Sequence, residues 1–214
     1  MSEATAATDA NSGAIPGITR QFEAEGYVVF RQALGEELRK FLSLNYQILH
    51  KNGYFSYNDG QVENAYAAYG LPLSDSLLEL FGPLVGQALG YAVHPTYTYT
   101  RFYLPGAVLK RHIDRPSCEI SATLSVDYVG ERIWPIWVES KTGAKVPVEL
   151  APGDLLLYKG DERPHWREPF EGEWQIQVFL HFVRQGGPYD DFKYDKRPHL
   201  GAPVSQRLAE SRTG

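Results

Sequence analysis

From Gly90 to Arg184 the chain is broken into short runs of β-branched and aromatic residues, with turn chemistry between them. Thr96–Tyr103 (TYTYTRFY) alternates strictly and ends at Pro105-Gly106. Val108–Ile113, Glu119–Tyr128 and Ile133–Glu139 follow, then Lys141-Thr142-Gly143 and Lys145–Leu150. Pro152-Gly153-Asp154 precedes Leu155–Tyr158, and Trp174–Arg184 is the last run. Segments this short, with a period of two, read as strands; about eight short strands are expected to follow the helices.

The first ninety residues read differently. Ile18–Glu25 fits a short helix, Gly26 breaks it, and Tyr27–Phe30 fits a buried strand. Glu36–Leu49 carries apolar residues at 38, 41, 42, 44, 48 and 49, which is helical spacing. Residues 51–60 are turn-rich and predict a loop. A helix over Asp75–Leu89 is expected, capped by Ser74 or Asp75, ended by Gly90 and interrupted at Pro83. The fold class is therefore mainly β with N-terminal helices, in the manner of a sandwich or jelly roll. Residues 1–14 predict a disordered lead, 15–200 a single domain and 201–214 a polar tail.

At 214 residues the chain can bury one substantial core. A net charge of -5 with no basic patch argues against nucleic acid. One cysteine, Cys118, excludes an intramolecular disulfide and fits a reducing cytoplasm. No apolar run reaches membrane-spanning length, and the N-terminus has no secretory pattern. Oligomeric state is not written in these features.

The chemistry lies in His112-Ile113-Asp114. Residues i and i+2 of a strand share a face, so both side chains can reach one ion. His165, 51 residues beyond Asp114 with about four strands between, supplies a third ligand. Two imidazoles and a carboxylate make a facial triad that leaves positions open on Fe(II).

With the blocks EGYVVFRQAL (25–34), PTYTYTRFYLPGAVLKRHIDRPSCEISATLSVDY (95–128), PGDLLLYKGDERPHWREPF (152–170) and QVFLHFV (177–183), the chain resembles the Fe(II)/2-oxoglutarate-dependent oxygenases. It is most similar to prolyl hydroxylase-like and phytanoyl-CoA hydroxylase-like members. The resemblance implies a cupin-like double-stranded β-helix, with Fe(II) on His112, Asp114 and His165 and with 2-oxoglutarate and O2 as co-substrates. It also implies a cation for the far carboxylate of 2-oxoglutarate, which many members place about ten residues past the distal histidine. Positions 175–177 are Gln-Ile-Gln here, so Arg167 and Arg101 become the candidates, with the hydroxyl of Tyr103 and with Gln177 beside them. The implied reaction hydroxylates an unactivated C–H bond of a small molecule, such as an amino acid or natural product, releasing succinate and CO2. The alternatives are a hydroxylase of protein side chains and a cupin-type metalloenzyme that does not use 2-oxoglutarate.

The remaining candidates read as structural. His181 fits a hydrogen-bonded core histidine, His50 a cap on helix carbonyls, and the four tryptophans core or pocket wall. Arg115 and Glu119 are expected to pair on the surface. Residues 190–197 mix charge signs and predict a solvated segment or a lid.

Overall fold

A computed structural model describes residues 15–203; the expectations for 1–14 and 204–214 lie outside them. The order is α1 (Pro16–Glu25), β1 (Tyr27–Phe30), α2 (Glu36–Lys51), β2 (Ser56–Tyr57), β3 (Ala65–Tyr69) and α3 (Pro72–Leu89). Then come β4 (Val93–Tyr103), β5 (Leu109–His112), β6 (Ile120–Val129), β7 (Ile136–Glu139), β8 (Lys145–Val148), β9 (Leu155–Lys159), β10 (His165–Arg167) and β11 (Trp174–Arg184). A major sheet runs β1-β9-β6-β11-β4-β3-β2, and a minor sheet runs β5-β10-β7-β8. From β4 onward the chain passes back and forth between the two sheets, and every pairing is antiparallel. This is a jelly roll. Among the described residues no helix is long and apolar enough to cross a membrane.

β4 and β11 are paired at the centre of the major sheet and buried on both faces. Phe102 of β4 and Ile176, Val178, Leu180 and Phe182 of β11 join the helices in the largest core cluster. The alternate positions, Tyr97, Tyr99, Arg101, Phe179 and His181, turn to the opposite face and line a cavity. Period-two geometry thus separates core from site along the same strands.

Several expectations are corrected. β2 and β3 form a hairpin where residues 51–60 predicted only a loop; β3 (AYAAY) is Ala-rich, and Ala signals strand weakly. α3 starts at Pro72 and runs unbroken through Pro83. Buried Leu78, Phe81, Val85 and Ala88 flank Pro83, and their burial outweighs the roughly 3 kcal/mol that a helical proline costs. Ser74 and Asp75 are buried inside the helix rather than capping it. The Asp75 carboxylate accepts hydrogen bonds from Thr98 Oγ1 (2.7 Å), Arg197 Nη1 (2.9 Å) and Gly201 N (2.8 Å). That contact ties residues 197–201 to the barrel; within 190–197, Asp195 and Arg197 are buried anchors while Asp191, Lys193 and Lys196 stay exposed. His50 caps no carbonyl; its ring stacks on Phe102 at 4.7 Å. α2 spends only part of its apolar residues inward: Leu42 and Tyr46 are buried, while Leu38, Phe41, Leu44 and Ile48 are exposed.

Candidate metal centre

β5 and β10 are neighbours in the minor sheet, and their register sets His165 directly opposite His112. The ring centroids are 4.3 Å apart. His165 opens its own short strand, just after the one that follows Pro152-Gly153-Asp154. β5 ends at His112, so strand alternation does not orient Asp114. Two bonds do so instead: Asp114 N–H donates to the Gly160 carbonyl (2.8 Å), and Ser121 Oγ donates to Asp114 Oδ2 (2.7 Å). The remaining oxygen, Oδ1, is 3.5 Å from Nε2 of both His112 and His165. One donor atom from each of the three residues lies within 4.8 Å of the other two, a group able to hold a metal ion.

The donor chemistry fits a metal. His112 Nδ1 is 2.8 Å from the Lys110 carbonyl, and His165 Nδ1 is 3.0 Å from the Arg163 carbonyl. A carbonyl only accepts, so each Nδ1 carries a proton, which leaves each Nε2 to face Asp114. Fixing the tautomer through the outer nitrogen is how ligating histidines are held. Burial pushes the Asp114 carboxyl up, but the adjacent His165 and His112 imidazoles outweigh it and hold the group well below the usual carboxylate range. The carboxylate is anionic, as ligation requires.

A cavity of about 650 Å³ opens on the triad. Tyr69, Tyr97, Tyr99 and Phe179 form an aromatic wall, with Arg101 on one side and Arg115 on the other. Arg101 forms a buried salt bridge with Asp59 and also donates to Gln61 Oε1 (3.0 Å). It is no surface charge. The Gln61 amide nitrogen in turn sits 3.2 Å from His112 Nε2. Arg115 pairs with Asp195 (3.1 Å) rather than Glu119, and its guanidinium lies over the Tyr97 ring. Glu119 accepts instead from the Arg184 backbone N–H (2.8 Å).

Arg167 is buried beside this cavity but is not part of its wall. It donates to the Trp134 carbonyl (2.7 Å) and to Gln177 Oε1 (2.8 Å). Neither Glu168 nor Glu171 pairs with it, and it makes no salt bridge among the described residues. Burial, with Arg101 nearby, pulls its pKa down to about 10. Arg167 Nε and Gln177 Nε2 are buried without a hydrogen-bond partner. Tyr103, fully buried, lies 3.5 Å from Arg101 Nη1. The fold thus gathers all four candidate co-substrate residues into one region. His181 is hydrogen-bonded as expected, meeting Ser121 Oγ at 3.0 Å, but it stands in the cavity wall rather than the core; burial drives its pKa down to about 4.

Sequence reasoning did not reach Asp59, Gln61, Ser121, Tyr158 or Gly160. The first two arrive on the β2–β3 hairpin, read only as a loop. The others have meaning only once β6 and β9 lie beside Asp114.

No protein-family model matches the chain, and no curated protein matches its sequence. Solved structures do match. A Pseudomonas putida prolyl-4-hydroxylase superposes with TM-score 0.66 at 17% identity, over 78% of this chain and 97% of that one. A Trichoplax adhaerens prolyl hydroxylase, solved with a peptide of hypoxia inducible factor, gives 0.66 at 15%, over 83% and 91%. The alpha-ketoglutarate-dependent epimerase SnoN from nogalamycin biosynthesis gives 0.69 at 12%, over 90% and 96%. With a seven-stranded and a four-stranded antiparallel sheet facing each other and these neighbours, the chain has the double-stranded β-helix fold of the Fe(II)/2-oxoglutarate oxygenases.

Proposed function

We propose that the protein is an Fe(II)/2-oxoglutarate-dependent oxygenase that hydroxylates a small molecule. The observation that carries this reading is the orientation of the triad: both Nδ1–H groups are spent on backbone carbonyls, and both Nε2 atoms converge on Oδ1 of Asp114. His112, Asp114 and His165 would hold the iron. SnoN, which shares the fold, has been solved with Fe3+ and alpha-ketoglutarate. When bound, Fe(II) with 2-oxoglutarate and O2 supplies the oxidising power, and the co-substrate leaves as succinate and CO2.

The chain's own residues bind, orient and exclude water. Arg167 is our choice to hold the far carboxylate of 2-oxoglutarate. A buried guanidinium without an anion is costly, and a ligand carboxylate removes that cost. Arg101 already has Asp59, so its charge is balanced. Gln177 fixes the Arg167 fork, and Tyr103 offers a hydroxyl next to it. Leu109, Tyr99 and Phe179 line the cavity with apolar surface. The volume of about 650 Å³ lies in the range of small-molecule sites.

Addition of 2-oxoglutarate to the anaerobic Fe(II)-loaded protein tests this directly. A weak visible charge-transfer band is expected, absent in Asp114→Ala and His165→Ala. Iron binding with no band and no succinate release on exposure to O2 would sink the 2-oxoglutarate assignment and leave a cupin-type metalloenzyme.

A further inference from the structure

We propose that the outward face of α2 is a homodimer interface, in which two copies of the helix pack antiparallel about a two-fold axis at Leu44. Glu37, Phe41, Leu44, Ile48 and Lys51 follow one another at spacings of four, three, four and three, so they form one stripe along the helix. The stripe points away from the core, which Leu42 and Tyr46 enter on the opposite side. Its apolar centre is open to water: Phe41 is 55% exposed, Leu44 62% and Ile48 57%, with Leu38 beside them at 39%. A contiguous apolar stripe rimmed by charge is the signature of an association surface.

The order of residues selects the partner. The stripe reads acidic, three apolar, basic. Turned antiparallel on a second copy, it is its own complement. Leu44 meets Leu44 at the axis, Phe41 meets the partner's Ile48, and Glu37 meets the partner's Lys51. A parallel pairing would oppose Glu37 to Glu37 and Lys51 to Lys51. Neither of these two residues makes a salt bridge within the described chain, whereas the flanking Glu36 and Lys40 already pair with each other at 2.7 Å. Such a contact is isologous and closes on itself, so it stops at two copies. Antiparallel helices also set their dipoles favourably. α2 packs on the helix side of the major sheet, away from the cavity, so the dimer leaves the site open.

One helix pair lies near the lower end of specific interfaces, about 1,000 Å² in total, the range of weak, reversible association. Sedimentation velocity of the full chain from about 1 to 200 µM should show a reversible shift from 24.1 kDa to twice that mass. Leu44→Glu and Phe41→Glu should sediment as monomers throughout. Glu37→Lys and Lys51→Glu should each weaken the dimer about tenfold, because each creates two like-charge contacts, and the double variant should regain the loss. Residues 37 and 51 are exposed, so these variants test pairing without burdening folding. A wild-type monomer at the top concentration overturns the proposal. So does a dimer indifferent to Leu44→Glu, or a double variant no tighter than the single ones. None of these readouts depends on a metal or co-substrate.

Discussion

Gly160 packs against the carboxylate of Asp114 so closely that a Cβ at position 160 would stand 2.5 Å from Oδ2. The same atom would meet Ser121 Oγ and the Cys118 carbonyl at 2.4 Å. Nothing there can yield cheaply, because one neighbour is backbone and the other two hold Asp114 in place. Gly160→Ala should fold at a cost of about 1–3 kcal/mol and bind Fe(II) about tenfold or more weakly. Anaerobic calorimetric titration beside thermal denaturation measures both. Unchanged affinity would mean that Asp114 does not need the position it holds.

The two arginines should separate cleanly. Arg167→Met should raise the Kd for 2-oxoglutarate about 10- to 100-fold, the value of a charge-assisted hydrogen bond, while Fe(II) affinity stays near wild type. Arg101→Met should instead leave Asp59 buried without its cation and lower stability by about 3 kcal/mol. If Arg101→Met abolishes 2-oxoglutarate binding in a folded protein and Arg167→Met does not, the anchor has been assigned to the wrong residue.

Gln61 would compete with a metal bound at the triad. Its amide donates to the same Nε2 lone pair of His112 that an ion would use, and its Oε1 is fixed by Arg101 Nη2. A neutral hydrogen bond is worth about 1 kcal/mol, so Gln61→Ala should bind Fe(II) about fivefold more tightly. Weaker binding in this variant would show that Gln61 assists the metal site rather than opposing it.

Asp161 carries a pH signature. Burial, then Glu162 and Glu119, push its carboxyl up to about 6. An unfolded chain would release that proton nearer the ordinary carboxylate value, so the folded state binds it more tightly. The stabilising effect of the proton is complete below the unfolded pKa and is lost as pH rises through about 6. Asp161→Asn should therefore raise the Tm at pH 7 and give little gain near pH 4. An equal gain at both values would place the effect in packing rather than charge.

Much of the barrel was legible because its strands are short, alternating and punctuated; Trp174–Arg184 was read to the residue. That His112, Asp114 and His165 come together was expected from the HxD pattern, but for a reason the structure changes: β5 ends at His112, so backbone and Ser121 hydrogen bonds, not strand alternation, place Asp114. Pro83 and Ser74 misled because local rules for proline and caps yield to burial, which depends on what packs against a helix. Gln61 and Gly160 were silent because their roles are distances across the fold. Arg167 was a candidate by position, yet its lack of a carboxylate partner among the described residues, and its place behind the cavity wall where Arg101 stands, are distances across the fold.

The parity of β4 and β11 has an evolutionary consequence. Tyr97, Tyr99, Arg101, Phe179 and His181, all at odd positions, face the cavity; Phe102, Ile176, Val178, Leu180 and Phe182, all at even positions, build the core. Selection for a new substrate can rewrite one set of letters while the other stays fixed, so the scaffold can change its chemistry's target without renegotiating its own foldedness.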